Sequence, residues 1–357
     1  MMKFIFTKEK VWLEKWDNFV CNNPKGSHLI HSDWLKSYKS YGFDFEIGLV
    51  LVDDQIVGGY GVVIPKFLLF KFYIIPHGPI YDDSHHFVLE NHISQIKLRA
   101  KFVRACYLQL SMPISSNEKV AKYVYQEEVI NCLIKILEPG KQFPYVYSSY
   151  GINYVDFKGY ENAELFLEKL TPKVRRNIRI PYNKKVQVSF ATDIDTIAKG
   201  YNVIIENAKQ GHYGVRAFSE FKSTILDLIA KKHAYFIICE VAGEIKAAGF
   251  FVLNSGYITN ITGGVLREKP DIKLGYMLQW EMIKTSFELG LEGYNISMGG
   301  SSGVQDFKTK FGAETIYFED SHYHLILKPL QYKMFKIFNR YFKPYKAQIS
   351  RLFARFK

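Results

Sequence analysis

The sequence predicts a mixed α/β fold of two similar lobes and a basic helix at the C-terminal end. Three observations predict it. The chain has 357 residues, of which 48% are hydrophobic and 16% aromatic, enough for two cores at about 100–200 residues per domain. One ordered set of helix and strand signals occurs twice, first around Ser32 and again around Ser219. Residues 328–357 place apolar side chains at steps of three and four with lysines and arginines between them. The expected divisions are a first lobe over 1–160, a second over 161–327 and the basic amphipathic helix over 328–357.

The first unit opens with a helix near 10–21. A second helix starts at Ser32-Asp33-Trp34 and runs to Gly42. Two β-rich runs, Glu46–Val52 and Ile56–Ile64, flank the turn Asp53-Asp54-Gln55 and read as a hairpin. A helix over 87–104 and a short strand at Tyr107–Leu110 close the unit. The second unit keeps the order. It has a helix at 194–208, another from Ser219 to Lys232, and strands Tyr235–Val241 and Ile245–Leu253 around Ala242-Gly243-Glu244. A helix over 276–289 and a strand at Tyr294–Ser297 follow. Ser32 and Ser219 are the expected N-caps, each with an acid in the next turn. The small residues Gly58-Gly59 and Ala247-Ala248-Gly249 predict a bulge or a close ligand approach. Shared order and register point to an internal duplication.

The apolar content and the unexceptional Gly and Pro counts exclude a disordered or collagen-like chain. The stretch Phe67–Pro76 is too short to span a bilayer and carries Lys71, and the first ten residues lack the apolar core of a signal peptide. These features predict a cytoplasmic protein. Cys21, Cys106, Cys132 and Cys239 stand far apart, with no Cys-x-x-Cys pair and no His in local metal-ligand spacing, and read as small buried hydrophobes. No metal is expected.

The net charge of +12 is concentrated. Seven cations and no acid lie in 169–185, and nine cations and no acid in 328–357, so these two segments hold more than the whole excess. In the terminal segment Leu330, Met334, Ile337, Phe338, Tyr341, Tyr345, Ile349, Leu352, Phe353 and Phe356 mark one face, with Pro344 as a break. Such a helix suits the anionic inner face of the cytoplasmic membrane, or it docks on the body with a solvated basic side.

Several patterns, in order, resemble the GNAT acyltransferase superfamily in its doubled form. The chain is similar, over about residues 25–320, to the Fem family of peptidoglycan-bridge aminoacyltransferases and the related CelD-like acyltransferases. The patterns are Ser32-Asp33-Trp34-Leu35, Ile75-Pro76-His77-Gly78-Pro79-Ile80, and Tyr154-Val155-Asp156-Phe157 followed by Leu170 to Arg179. Gly211-His212-Tyr213-Gly214-Val215-Arg216 and Phe307-Lys308-Thr309-Lys310-Phe311-Gly312 complete the set. The resemblance implies acyl transfer to an amine, from aminoacyl-tRNA or from a thioester such as acyl-CoA, with no bound cofactor. It implies a nucleotide-linked or lipid-linked envelope precursor as acceptor in the cleft between lobes. Lys308 matches the lysine that faces the reacting carbonyl, and Arg216 matches an arginine for acceptor phosphates. The entry-helix lysine of the family falls on Tyr38, with Lys36 and Lys39 beside it, the coiled-coil arm of some Fem enzymes is absent, and Pro181 interrupts the basic helix.

The residues themselves allow the same chemistry. Acyl transfer to an amine passes through an oxyanion that needs fixed charge or N–H donors. Lys308 and Lys310 follow the Gly/Ser-rich stretch Ser297–Gly303, whose amides can approach a ligand closely. Asp306 is a candidate proton relay or a simple partner for Lys308. His77 and His212 are candidate cleft residues with a suitable pKa. Arg175, Arg176 and Arg179 form a stripe fit for phosphates of tRNA, a diphosphate or CoA. Residues 266–276 hold one glycine and no pyrophosphate-binding turn, which weakens the CoA reading. His322-x-His324 has no third ligand in view. Three functions therefore stand: aminoacyl transfer to an envelope precursor, acyl-CoA-dependent N-acetylation of an amino sugar in capsule, exopolysaccharide or lipopolysaccharide synthesis, and a non-catalytic envelope scaffold.

Overall fold

The computed structural model describes residues 2–82, 84 and 89–342. The chain opens with edge strand β1 (Met2–Thr7), helix α1 (Lys10–Asn22) and the short α2 (Ser32–Lys36), which runs on as a 3₁₀ turn over Ser37–Tyr41. The hairpin β2 (Asp44–Val52) and β3 (Gln55–Ile64) follows, then β4 (Lys66–Phe67), β5 (Phe70–Ile75) and β6 (Ile80–Tyr81). Helix α3 (Leu89–Phe102), β7 (Tyr107–Ser111), α4 (Glu128–Ile134) and β8 (Glu138–Pro139) complete this part. Next come β9 (Gly151–Asp156), α5 (Ala163–Lys169), α6 (Pro172–Asn183), β10 (Gln187–Phe190), α7 (Ile194–Gln210) and α8 (Phe218–Ala230). Strands β11 (Ala234–Val241), β12 (Glu244–Leu253) and β13 (Tyr257–Val265) lead to α9 (Leu274–Glu288), β14 (Gly293–Asn295), α10 (Ser302–Thr309) and β15 (Glu314–Tyr317). Finally β16 (His322–Ile326) precedes α11 (Pro329–Phe342).

The strands form two sheets. One runs β1-β2-β3-β5-β7-β16-β8, with β4 and β6 at its side; the other runs β10-β11-β12-β13-β14-β9-β15. The sheets do not divide at 160 and 327 as expected. Strand β9 already belongs to the second sheet, paired with β14 and β15, and β16 returns to pair with β7 and β8. Each lobe is thus stitched by a strand that the expected divisions place in the other.

The repeated helix-helix-hairpin-helix-strand order is present in both halves, with an additional strand, β5 or β13, between hairpin and second-layer helix. The small strand residues have a packing cause. A Cβ on Gly59 would meet the Trp16 ring of α1 at 2.6 Å. On the matching strand, Ala248 faces Gly200 of α7, where an added Cβ would lie 2.7 Å from the Phe236 ring. In both lobes the leading helix takes this space, and the expected bulge lies beside the small residues, at Val57 and at Lys246.

The helix starts also differ, by one position in the first lobe and two in the second. His31, not Ser32, is the N-cap of α2, and the Ser32 amide and hydroxyl donate to Asp17 at 2.7 and 2.6 Å. Ala217 precedes α8, so Ser219 lies inside its first turn. These two equivalent helices pack on each other across the lobes: the Trp34 and Phe221 rings meet edge-on at 5.4 Å, and Thr224 Oγ1 donates to the Asp33 carbonyl at 3.2 Å. One apolar cluster consequently runs from Trp16, Leu35 and Ile47 to Ile225, Phe236 and Phe250, joining both lobes.

Helix α11 docks by one face. Phe335 is buried against Phe67, Phe70 and Phe72, and Tyr332 stacks on Tyr107 at 4.7 Å. Leu330, Met334, Ile337 and Tyr341 remain exposed on the other. The expected continuation over 343–357 lies outside the described residues. No described helix is long and apolar enough to cross a membrane.

Candidate active site

The second sheet opens where the first stays closed. Parallel strands β13 and β14 pair from Tyr257↔Gly293 to Thr259↔Asn295 and then part, leaving Asn260–Val265 unpaired on that side. The equivalent parallel pair in the first lobe, β5 and β7, holds to the last residue of β5, with Ile75 opposite Leu110. The next turn there is tied down by a Gly78 N–H to Ser111 carbonyl bond of 2.8 Å. A split at the carboxyl ends of adjacent parallel strands is a natural binding crevice.

A polar network lines its far wall. The Asn295 side-chain oxygen accepts from the amides of Asn153 at 3.1 Å and Ser297 at 3.0 Å, while its NH₂ donates to Thr259 at 3.4 Å. The Asn153 NH₂ donates to Gln305 at 3.3 Å, and the Gln305 NH₂ donates to the Gly299 carbonyl at 3.0 Å. Strands β9 and β14 and helix α10 thereby fix the loop 297–300. Ser297 adopts a left-handed backbone with φ of 69°, and Gly300 one of 123°, which curls the loop around one side chain.

That side chain is Lys308. It is 5% exposed, and its ammonium donates to the Ser297 carbonyl at 2.8 Å and to the Gly299 carbonyl. Burial pushes its pKa down to about 8. Because each peptide is trans and planar, the Met298 and Gly300 N–H groups lie opposite the two carbonyls that face Lys308. The loop therefore turns amides away from the cation it encloses.

Asp306 does not pair with Lys308 as expected. It sits exposed on α10, where its backbone carbonyl accepts from the Thr309 hydroxyl at 2.9 Å. A helix turns about 100° per residue, so positions two apart face different ways. Lys310 is exposed at the end of the same helix.

Arg216 and Tyr38 come together at the lobe interface. A cavity of about 340 Å³ is lined by Tyr38 and Tyr41 of the first lobe, Gln142, Pro144, Tyr145, Val146 and Tyr147 of the connecting stretch, and Arg216 of the second lobe. The guanidinium donates to Ser37 Oγ at 2.6 Å and lies 5.0, 4.9 and 5.0 Å from the ring centroids of Tyr38, Tyr41 and Phe221. Burial pushes the Tyr38 pKa up to about 12, so its hydroxyl is neutral.

Other candidates fall elsewhere. Lys39 is exposed over the Phe45 ring, and Lys36 pairs with Asp33 at 2.7 Å. His77 is buried rather than cleft-facing: its Nε2 bonds the Lys25 carbonyl at 2.9 Å, and burial lowers its pKa to about 4. His212 is exposed in a left-handed turn after α7 and does not line the cavity. Arg175 caps α5, donating to the Glu168 and Leu170 carbonyls at 2.6 and 2.8 Å, which leaves Arg176 and Arg179 as the exposed members of the stripe. Helix α6 runs through Pro181 to Asn183 instead of breaking there, at the loss of the one hydrogen bond that an N–H at 181 would donate. Burial pushes the Cys21 and Cys239 thiols up to about 12, which makes both poor nucleophiles. Asn153, Asn295 and Gln305 carry no local motif and had no sequence signal as site residues.

Residues 172–309, from α6 to α10, match the acetyltransferase (GNAT) domain family. No curated protein sequence matches the chain. Among solved structures, FemX is similar over 92% of this chain and 99% of its own, at 13% identity and a TM-score of 0.76. A tandem GNAT protein from the clavulanic acid biosynthesis pathway covers 91% of this chain and 98% of its own, at 9% identity and a TM-score of 0.53. The C-terminal domain of a putative lysylphosphatidylglycerol synthetase from Agrobacterium fabrum covers 87% and 90%, at 11% identity and 0.54. The chain has the tandem GNAT fold seen in FemX, and the stretch that matches the acetyltransferase (GNAT) domain family lies in its second lobe.

Proposed function

We propose that the protein transfers an aminoacyl or other acyl group to an amine of a cell-envelope precursor, with aminoacyl-tRNA as donor. The observation that carries this reading is the open split between β13 and β14, with Lys308 and the 297–300 loop at its wall. The acceptor amine attacks the donor carbonyl carbon, a C–N bond forms, and the C–O bond to the tRNA breaks. The amine proton leaves with the departing hydroxyl. The outward N–H groups of Met298 and Gly300 stabilise the oxyanion between those two steps, and the positive charge of Lys308 adds to this from the other side of the loop. No carboxylate or imidazole is needed at that point.

The Arg216–Tyr38 cavity takes the acceptor. It offers one guanidinium among tyrosine rings, a setting for one anionic group beside a sugar or other flat apolar face. Tyr145 lines this cavity and bonds Asn339 of α11, whose outer face shows Leu330, Met334, Ile337 and Tyr341 with Lys333 and Arg340 nearby. Contact between cavity and amphipathic helix supports a lipid-linked acceptor and a peripheral position on an anionic membrane. Similarity to FemX and to a lysylphosphatidylglycerol synthetase domain supports the same reading.

An acyl-CoA donor is favoured by one observation. Helix α9 starts beside the split with no side-chain cap and no acid in its first turn, which leaves its N-terminal amides open to a pyrophosphate. Titrating the protein with aminoacyl-tRNA and with acetyl-CoA separates the readings. Tight, salt-sensitive tRNA binding and aminoacyl transfer support the first. Binding of acetyl-CoA alone supports the second, and binding of neither would leave a scaffold.

A further inference from the structure

Cys21 on α1, His31 before α2 and His233 before β11 are far apart in sequence, yet their side chains meet where the lobes join. One ligand atom from each can be chosen so that all three lie within 4.8 Å of one another. Cys21 Sγ is 3.6 Å from His233 Nε2 and 3.9 Å from its Nδ1, so this ring turns for one nitrogen to share an ion with the sulfur, and the His31 and His233 rings meet edge-on with centroids 5.1 Å apart. In a tetrahedral zinc site, with Zn–S near 2.3 Å and Zn–N near 2.0–2.1 Å, sulfur and nitrogen stand about 3.6 Å apart.

Two further observations point to a ligand. The Nε2 of His31, a side chain 4% exposed, has no hydrogen-bond partner, and neither has the buried Nδ1 of His28. Both histidines line a cavity of about 10 Å³ together with Cys21 and His233, room for one small centre. The opposite edge of His31 faces carboxylates, with Nδ1 3.6 Å from Asp17 and 3.8 Å from Asp33. In the structure Nδ1 accepts from the Asp33 N–H at 3.4 Å, so Nε2 carries the ring proton; a metal at Nε2 would take that proton's place, with Nδ1–H then turned to the Asp17 and Asp33 carboxylates. Asp17 and Asp33 themselves are engaged by Ser32, Lys231 and Lys36, which leaves sulfur and nitrogen as the available donors.

We propose that Cys21, His31 and His233 bind one Zn²⁺, with the fourth position left to a water. Donors of this softness suit zinc over magnesium or calcium. Cys21 and His233 are only half-buried, which gives the ion a path in. Binding deprotonates the thiol and releases its proton to solvent. Since His233 comes from the second lobe and the other ligands from the first, the ion clamps the two lobes at their contact between α2 and α8. The site is structural and lies apart from the residues placed at the split and the cavity.

The test uses the full chain, freed of metal by a chelator and titrated with Co²⁺ as a spectroscopic probe. One equivalent is expected to give tetrahedral visible bands with a thiolate-to-cobalt charge-transfer band, which Zn²⁺ then removes. Zn²⁺ is also expected to raise the Tm of the wild type. Cys21→Ser should lose the charge-transfer band, and His233→Gln should weaken Zn²⁺ binding by about tenfold or more. The metal-free Tm of both variants serves as the folding control. A Co²⁺ spectrum without a thiolate band in the wild type, or a wild-type Tm unmoved by Zn²⁺, overturns the proposal. So does Zn²⁺ binding of equal strength in His233→Gln.

Discussion

The Lys308 ammonium donates to the Ser297 carbonyl, across the gap between α10 and the end of β14, at 2.8 Å. With the bond to the Gly299 carbonyl, it joins a buried cation to the loop that edges the open split. It also gives Lys308 two separable duties, holding the loop and supplying charge.

Replacing Lys308 by Gln keeps a donor for the loop and removes the charge. We expect kcat to fall by about 10²–10³ with little change in fold, a size typical of one lost oxyanion stabiliser. Steady-state kinetics with circular dichroism as control checks it. Near-normal kcat would exclude the charge from the reaction.

Lys308 also sets a pH limit. Its folded pKa is lowered to about 8, so the active cation is present below that pH and is lost as pH rises through it. The pH profile of kcat should therefore decline above about pH 8, well before an ordinary lysine would lose its proton. A flat profile to pH 10 would rule out a required Lys308 cation.

Tyr38 stands where a second cation would face the same ligand as Arg216. Tyr38→Lys is expected to strengthen binding of a nucleoside diphosphate sugar by about 10–100-fold, as one added charge-assisted contact would. Arg216→Ala should raise the acceptor KM far more than it lowers kcat. Calorimetry and kinetics read the two effects, and unchanged diphosphate affinity in Tyr38→Lys would place the phosphate elsewhere.

The outer face of α11 predicts membrane contact. Leu330→Asp with Ile337→Asp should reduce sedimentation with anionic vesicles while leaving the fold intact, since both side chains are half or more exposed. Equal sedimentation of variant and wild type would mean that this face does not touch lipid.

His92 is buried with neither ring nitrogen bonded, and burial lowers its pKa to about 3. The folded state holds it neutral, so its contribution is complete above the unfolded pKa of about 6.5 and is lost as pH falls below that. His92→Leu should shrink the drop in Tm between pH 7 and pH 5, corresponding to roughly 1–2 kcal/mol. An unchanged drop would assign acid sensitivity to other groups.

The sequence by itself determined the repeated order of elements, because amphipathic periods and turn residues act over a few neighbours. It showed the hairpins around Asp53 and Gly243, the helices of both units, the Gly/Ser stretch before Lys308 and the apolar stripe of α11. Other features depend on residues that meet only after the chain is folded. Asp306 is near Lys308 in sequence but lies round the helix from it, whereas Asn153, far away, reaches the same loop through β9, which pairs with β14. His77 is enclosed instead of facing the cleft, and Cys21 finds His233 across the lobe contact. Tertiary structure alone decided which parallel pair splits, since β13 loses its pairing with β14 after Thr259 while β5 keeps its pairing with β7 to Ile75. Long-range strand pairing sets that difference, and no local pattern of residues records it.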